Sequence, residues 1–350
     1  NPLVGAVVVR DGEVVGEGWH AEHGAPHAEA AALEDAGEAA RGSTVYVTLE
    51  PCTHHGATPP CAPALAEAGV ARVVVGCRDP HPEAAGGLEV LREAGVEAVA
   101  GVAGRAAARL NAPFLWRHAR EAPFVTLKLA LSLDARIARR EGHRSAVTGE
   151  AAWGHVHRLR AGHDAILVGR RTAEVDDPRL TARGEPEPAT PPVRVVLDSE
   201  LRLSPGSRLA ATAGRAPLWV LSGPEPDPSR RSALEAAGAR VVPVERAGTG
   251  GGLATSGVVE ALGDGGVGSV LVEGGGRVAA SFLRDGWVQR MHLLYAPVLF
   301  GPEGVPGFPG AATEPGSWRP AERRPLGDDT LLVLESPGLA YLVDRLGAET

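Results

Sequence analysis

The feature that most limits what this chain can become is an alternation of short apolar runs with helical stretches, which occurs twice. Val4–Val9 is an apolar run that Asp11-Gly12 turns back into Glu13–Trp19, a hairpin signal. The Ala-rich stretch from His27 to Ala40 predicts a helix, with Pro26 near its first turn and Gly42 beyond its end. Strands are expected at Thr44–Leu49 and Val70–Gly76, with a helix over Pro60–Ala68 between them. A further helix-strand pair follows at Leu88–Ala94 and Val96–Val102. Arg105–Pro123 then predicts a helix and a Pro-bounded connector. The alternation restarts at Phe124–Leu131 and continues through strand candidates Ala165–Val168, Val193–Leu197, Leu218–Leu221, Arg240–Val244, Ser269–Val272 and Met291–Tyr295. Ala182–Pro192 and Ala247–Gly257 are rich in Pro or Gly and are expected as loops. Such a pattern makes α/β domains, each built around a sheet. The 350 residues exceed one ordinary core, so two domains are expected, over 1–115 and 124–345, with the boundary near residues 112–123.

Composition narrows the function. The formal charge is −8 and no Lys/Arg block occurs, so a phosphate-gripping stripe is missing and no nucleic-acid partner is expected. No apolar run approaches the length of a bilayer span and no signal peptide is visible, so no membrane partner is expected and the cytoplasm is the expected location. The three cysteines, Cys52, Cys61 and Cys77, are too few for a disulfide framework, which leaves metal binding or burial. Cys77 closes an apolar strand and fits burial.

Chemistry concentrates in the first domain, in His27-Ala28-Glu29, Pro51-Cys52 and Pro60-Cys61. A hydrolytic zinc centre wants three protein ligands and an open position for water, and one imidazole with two thiolates supplies this. Cys61 falls in the first turn of a predicted helix, where the backbone favours thiolate. Glu29, two residues beyond the histidine, is placed to move the water's proton without being a ligand. Zinc nucleobase deaminases carry H-x-E…P-C-x-x-C; here eight residues separate the cysteines rather than two. His54 and His55 lie between the ligands, as substrate contacts or as plain loop residues.

In the second domain the run Gly274-Gly275-Gly276 follows a strand and precedes a predicted helix, Arg277–Arg284. Glycines there let backbone N–H groups approach a phosphate, though a plain turn uses the same residues. No G-x-G-x-x-G follows the domain's first strand, which excludes a Rossmann reading. Arg160 and Arg183 suit a phosphate by forked hydrogen bonding, and each is equally what a solvated surface shows.

Asn1-Pro2-Leu3-Val4-Gly5, His27-Ala28-Glu29 and TLEPCTHHGATPPC at 48–61 closely resemble the deaminase half of the bifunctional deaminase-reductases of bacterial riboflavin biosynthesis. The resemblance continues through Lys128 to Asp134, His157 to Arg160, Asp176 to Thr181, Leu197 to Ser199 and Val272 to Gly276, in the family's order. It implies an N-terminal cytidine-deaminase-like zinc domain and a C-terminal dihydrofolate-reductase-like domain. The implied reactions are zinc-dependent deamination of a diaminopyrimidinone carrying a phosphoribosylamino group, then NADPH reduction of the ribosyl group to ribityl. Implied zinc ligands are His27, Cys52 and Cys61, with Glu29 catalytic. The cofactor side would comprise Ala130, Thr172, Asp176, Ser199, Gly274, Gly275 and Gly276. The substrate side would comprise Asn1, Arg160, Leu180, Arg183 and Glu273. The family commonly associates into homo-oligomers through the reductase domain.

Several positions depart from the family pattern. Ala57 stands where Lys or Arg is usual, His81 where DPNP has its asparagine, and Arg144 and Ala146 where a serine and a tryptophan are usual. They give weight to a paralogue with an altered substrate or a silent reductase half. A polynucleotide base deaminase is opposed by the acidic charge and the second domain. A non-catalytic zinc-stabilised binding protein is opposed by Glu29, since a structural site needs no acid/base and usually has four protein ligands.

Overall fold

The computed structural model describes residues 2–22, 24–55, 59–184, 188, 190–248, 252–312, 314 and 316–349. The chain divides into two units, one made of Asn1–Glu121 with Gly338–Thr350, the other of Ala122–Pro337.

The first unit runs β1 (Gly5–Arg10), β2 (Glu13–Trp19), α1 (Ala28–Ala36), β3 (Thr44–Leu49), α2 (Cys61–Glu67), β4 (Arg72–Cys77), α3 (Gly87–Glu93), β5 (Glu97–Ala100), α4 (Gly104–Leu110) and α5 (Ala112–Arg120). Its sheet has the order β2-β1-β3-β4-β5. Asp11 and Gly12 both take positive φ, 52° and 84°, as a two-residue hairpin turn between right-twisted strands requires. The connector expected after Arg105 is instead a pair of helices, α4 and α5.

Helix α1 is held against β2 at a distance only small residues permit. Ala28 and Ala32 are fully buried, and Gly16 and Gly18 lie opposite. A Cβ on Gly18 would stand 2.3 Å from the Ala28 carbonyl oxygen and 2.4 Å from the Ala32 nitrogen. Both are backbone atoms of α1, so neither can rotate aside. Gly18→Ala is therefore expected to cost about 3 kcal/mol by overpacking. Because α1 starts beside His27 and contains Glu29, the same change should displace both residues; thermal melts and the zinc content of the variant together check it.

The second unit runs β6 (Phe124–Leu131), β7 (Arg136–Ala138), α6 (Glu150–Ala161), β8 (Ala165–Gly169), α7 (Arg170–Asp176), β9 (Val193–Leu197), α8 (Arg208–Ala211), β10 (Leu218–Ser222), α9 (Pro228–Ala236), β11 (Arg240–Pro243), α10 (Thr255–Asp264), β12 (Ser269–Val272), α11 (Gly276–Arg284), β13 (Arg290–Tyr295), β14 (Val305–Pro306), β15 (Arg319–Leu326) and β16 (Asp329–Glu335). The main sheet has the order β11-β10-β9-β8-β12-β6-β13-β16-β15, parallel from β11 to β13 and closed by the antiparallel β15–β16 hairpin. Alternate residues serve two cores: Ala165 and Leu167 face one, Ile166 and Val168 the other. Where β8 and β9 bury Ile166, Val168 and Val196, the same face of β6 carries Thr126 and Lys128. This polar strip lies under α6.

Two sequence expectations change here. Helix α10 starts at Thr255, inside the stretch expected as a loop to Gly257. Residues 338–349, grouped by sequence with the second domain as far as 345, pack with the first unit as most of α12 (Pro337–Leu346). Leu339, Leu342 and Val343 are buried, Arg105 pairs with Asp344 at 3.0 Å, and the Leu346 carbonyl accepts the Arg78 N–H at 2.9 Å.

Candidate active sites

In the first unit, His27 is the residue before α1, extended at φ −68° and ψ 158°, and Glu29 lies in the helix's first turn. Cys52 follows β3, and Cys61 opens α2 behind Pro60. These elements converge: His27 Nδ1 lies 3.3 Å from Cys61 Sγ and 3.6 Å from Cys52 Sγ. The three donor atoms lie within 4.8 Å of one another, the single such metal-holding group among the described residues.

The electrostatics suit a cation. Hydrogen bonds from the Cys61 thiol, His27 and the Cys61 backbone N–H lower the Cys52 thiol, against burial. Cys61 moves up because it donates to Cys52 and is itself buried. Glu29, 4% exposed, is lifted to about 7 chiefly by burial. One imidazole and two cysteine sulfurs form the donor set a hydrolytic zinc centre uses, and they fit that ion.

Glu50 holds this arrangement together and drew no attention in the sequence. Its buried carboxylate accepts N–H bonds from Asp79 at 3.2 Å, Gly86 at 3.2 Å and Leu88 at 3.3 Å. The strand end that leads into Cys52 is thereby tied to the loop carrying His81. A charged residue directly before Pro-Cys, at the end of an apolar strand, was the available signal. His81 stacks edge-on against His118 at 4.6 Å, and the His54 ring lies 6.4 Å from His81. Asn1 and Ala57 lie outside the described residues. Asn111, buried in the turn between α4 and α5, pins the neighbouring Leu3 peptide from both sides: Leu3 N–H donates to Oδ1 at 2.7 Å and Nδ2 donates to Leu3 O at 3.0 Å.

The second unit gathers its expected residues at the carboxyl ends of parallel strands, where open α/β sheets bind ligands. Ala130 lies on β6, Thr172 and Asp176 on α7 after β8, and Ser199 just beyond β9. Glu273 and Gly274–Gly276 follow β12. Gly275 has φ 65°, and a Cβ there would meet Thr172 Oγ1 at 3.3 Å, so these two sites are neighbours. Packing also demands glycine at 276, where a Cβ would stand 2.2 Å from the Pro306 carbonyl oxygen. No side chain caps α11, so its first-turn N–H groups remain for a phosphate, which fits a dinucleotide.

Arg160 is not a surface arginine. Its fork binds Glu273 bidentately, Nε to Oε1 at 2.5 Å and Nη2 to Oε2 at 2.9 Å, and Nη1 donates to the Thr181 carbonyl at 3.2 Å. That last bond holds the segment after Leu180, a buried residue at φ 51°. Lys128, quoted in the sequence motif without a role, joins the cluster, with Nζ 3.4 Å from Glu273 Oε2. Burial alone would raise the Glu273 carboxyl, but Lys128 and Arg160 outweigh it and hold it at about 2. Two cations share one carboxylate, which leaves one buried positive charge in excess. Asp176 is raised by burial, with the charges of Arg144 and Lys128 opposing. Arg183 is exposed, and its charge acts on His157 rather than on the Glu273 cluster.

Fold and sites define a class: a deaminase-type metal centre in a five-stranded α/β unit, joined to a largely parallel-sheet unit with a glycine run opening the helix after its β12 strand. Residues 1–77 match the cytidine and deoxycytidylate deaminase zinc-binding region, and residues 123–332 match the RibD C-terminal domain. Riboflavin biosynthesis protein RibD of Escherichia coli is 38% identical over 351 residues, covering 95% of this chain and 93% of that protein. The Bacillus amyloliquefaciens RibD is 40% identical over 302 residues, 86% of this chain and 80% of that protein. Among solved structures, Acinetobacter baumannii RibD superposes with a TM-score of 0.81 at 34% identity, covering 96% of this chain and 92% of that one. A Thermotoga maritima structure described as a diaminohydroxyphosphoribosylaminopyrimidine deaminase/5-amino-6-(5-phosphoribosylamino)uracil reductase gives a TM-score of 0.81 at 33% identity, with the same coverage. The chain belongs to the RibD family of riboflavin biosynthesis proteins, and its halves are the expected deaminase and reductase.

Proposed function

We propose that His27, Cys52 and Cys61 hold zinc and that Glu29 is the proton carrier of a deaminase acting on a 2,5-diamino-6-(5-phosphoribosylamino)pyrimidin-4-one. The observation that carries this is the convergence of those three donors beside a buried carboxylate that is not one of them. Zinc, when bound, supplies the Lewis acidity that makes water nucleophilic near neutral pH. Glu29 takes one proton from the attacking water and gives it to the ring nitrogen, then takes the proton of the new hydroxyl and passes it to the amine, which leaves as ammonia when the C–N bond breaks. Glu50 keeps the Cys52 segment and the His81 loop in register, and Asn111 fixes the backbone next to Asn1, the expected contact to the base.

The second unit then reduces the ribosyl group of the deaminated product to ribityl, with NADPH supplying the hydride when bound. The α11 N-terminus takes the cofactor phosphate, with Ala130, Thr172, Asp176, Ser199 and the Gly274–Gly276 loop around it. On the substrate side stand Leu180, Arg183 and the Arg160–Glu273 pair. Lys128 is the buried cation with a transferable proton, and it serves the oxygen released when the sugar ring opens. The chain works on small molecules in the cytoplasm and associates with copies of itself; among the described residues no helix is long and apolar enough to cross a membrane.

A coupled assay with zinc-loaded protein follows ammonia release and loss of NADPH absorbance together. Both signals are expected. Ammonia without NADPH oxidation would assign Arg144 and Ala146 to a silent or redirected reductase half. Neither signal, with zinc bound, would overturn the substrate.

A further inference from the structure

The order of strands in the second unit sets the direction in which a dinucleotide must lie. Strands β9, β8, β12 and β6 run side by side and parallel. The reacting end of the cofactor belongs over β6, where Lys128 meets the Glu273–Arg160 pair. Its pyrophosphate belongs at the glycine run after β12. The adenosine half therefore continues the other way, over the carboxyl ends of β8 and β9. In NADPH that half carries a 2′-phosphate, an anion that NADH lacks.

Arg170 stands at that junction. It is the first residue of α7, directly after Gly169 of β8, which pairs in register with Leu197 of β9. Its Nε faces Asp198 Oδ1, just past β9, at 3.6 Å. Asp198 is buried, and its Oδ2 accepts the Leu203 N–H at 2.7 Å, closing the turn that carries Ser199. Oδ1 has no hydrogen bond among the described residues, so it holds the guanidinium by charge. Arg170 Nη1 donates to both oxygens of Glu174, at 2.5 and 2.6 Å. Nη2 has no partner among the described residues, and the side chain is 29% exposed. On the far side of Ser199, Arg246 donates to the Ser199 carbonyl at 3.2 Å and Arg230 to the Glu200 carbonyl at 2.9 Å. Arg246, Arg202 and Arg230 hold the Glu200 carboxyl below its usual range. Four arginines, 170, 202, 230 and 246, thus flank Ser199 against three carboxylates, Glu174, Asp198 and Glu200, which leaves one cation in excess for an anion.

We infer that Arg170 is the residue that recognises the adenosine 2′-phosphate, and that Glu174 is the placeholder its outer edge holds when no phosphate is there. The inference rests on the reading of the second unit as an NADPH reductase and names the side chain that separates NADPH from NADH. A guanidinium suits this task because its planar fork matches phosphate oxygens and stays charged at any working pH. Asp198 anchors the inner edge of the fork, so the Nη side turns to a ligand with little loss of order. A 2′-hydroxyl leaves the Arg170–Glu174 pair unbroken and gains nothing from the arginine. The neighbouring Arg171 does not share the role: its side chain is 53% exposed and pairs with Glu141 at 2.9 Å.

The test is calorimetric titration of the full chain with 2′,5′-ADP and with 5′-ADP, which reads the 2′-phosphate alone and needs no turnover. The native chain should bind 2′,5′-ADP the more tightly. Arg170→Met keeps an unbranched stem and drops the charge; it should weaken 2′,5′-ADP about 30-fold and leave 5′-ADP unchanged. Glu174→Gln should act in the opposite sense and tighten 2′,5′-ADP, because it frees Nη1 without removing a side chain from α7. In steady state, Arg170→Met should raise the KM for NADPH, keep kcat, and leave the KM for NADH as it was. The assignment is overturned if Arg170→Met weakens both nucleotides alike, which is what a merely loosened Asp198 turn would do, or changes neither. It is also overturned if Glu174→Gln weakens 2′,5′-ADP, or if Arg246→Met removes the preference while Arg170→Met keeps it. A native chain that binds both nucleotides equally leaves the dinucleotide crevice standing and sinks only the role of Arg170. A native chain that binds neither of them, nor NADPH, sinks the reductase reading itself.

Discussion

Glu29→Gln should lower deamination about 1,000-fold, the scale of a lost general acid/base, while zinc content stays at one ion per chain. The amide keeps the size of the carboxyl group in a site where Glu29 is 4% exposed, so repacking is slight. What disappears is the ability to take a proton from water and return it to the leaving amine. Glu29 is not among the three gathered donors, so metal analysis of the variant separates this role from ligation. Loss of zinc together with activity would make Glu29 a ligand. Unchanged turnover would remove it from the mechanism. NADPH oxidation with predeaminated substrate should be untouched, because the variant lies in the other unit.

Glu273→Gln has the converse effect, on the second unit. Glu273 is the carboxylate that pairs with both Arg160 and Lys128, and its side chain is 4% exposed. Removing the charge leaves two buried cations facing each other, a change that costs about 3–5 kcal/mol when one partner of a buried ion pair is lost. Denaturant melts should show this in the second unit's transition, with NADPH oxidation lost as well. The acid limb gives an independent check. The folded carboxyl titrates at about 2 against 4.5 for the free group, so its contribution is fully present above 4.5 and fades as pH falls towards 2. Native and variant proteins should therefore converge in stability at acid pH. A gap that stays constant from neutral pH to 3 would show that the pair does not stabilise the fold.

The zinc-side residues could be read in the sequence because each sits at a local signal. His27 and Glu29 stand where an Ala-rich helix begins, Cys52 follows a β-rich run, and Cys61 follows Pro-Pro at a helix start. Strand ends and helix starts are set by neighbours within a few residues, so short-range pattern suffices to find them. The same holds for the Asp11-Gly12 turn and for β6, β9 and β12, whose apolar runs match the observed strands end to end. The β15–β16 hairpin escaped notice because β15 reads RPAERRPL, an edge strand charged on both faces with no apolar alternation.

Other features depend on residues far apart in the chain, and no local pattern announces them. Arg160 looks like any helix-surface arginine until the fold brings Glu273, 113 residues later, within 2.5 Å of it. Lys128 reads as a lone charge in an apolar strand, and only the β12–β6 pairing places Glu273 beside it. The last helix follows the reductase half in sequence yet packs on the deaminase unit, because its apolar stripe is buried there. Strand-helix rhythm, local chemistry and the family resemblance of the motifs were therefore enough to point to the class of protein and to the three residues proposed as metal donors. The partners of buried charges, and the unit to which α12 belongs, came from the tertiary structure, since burial and pairing energies depend on which surfaces meet.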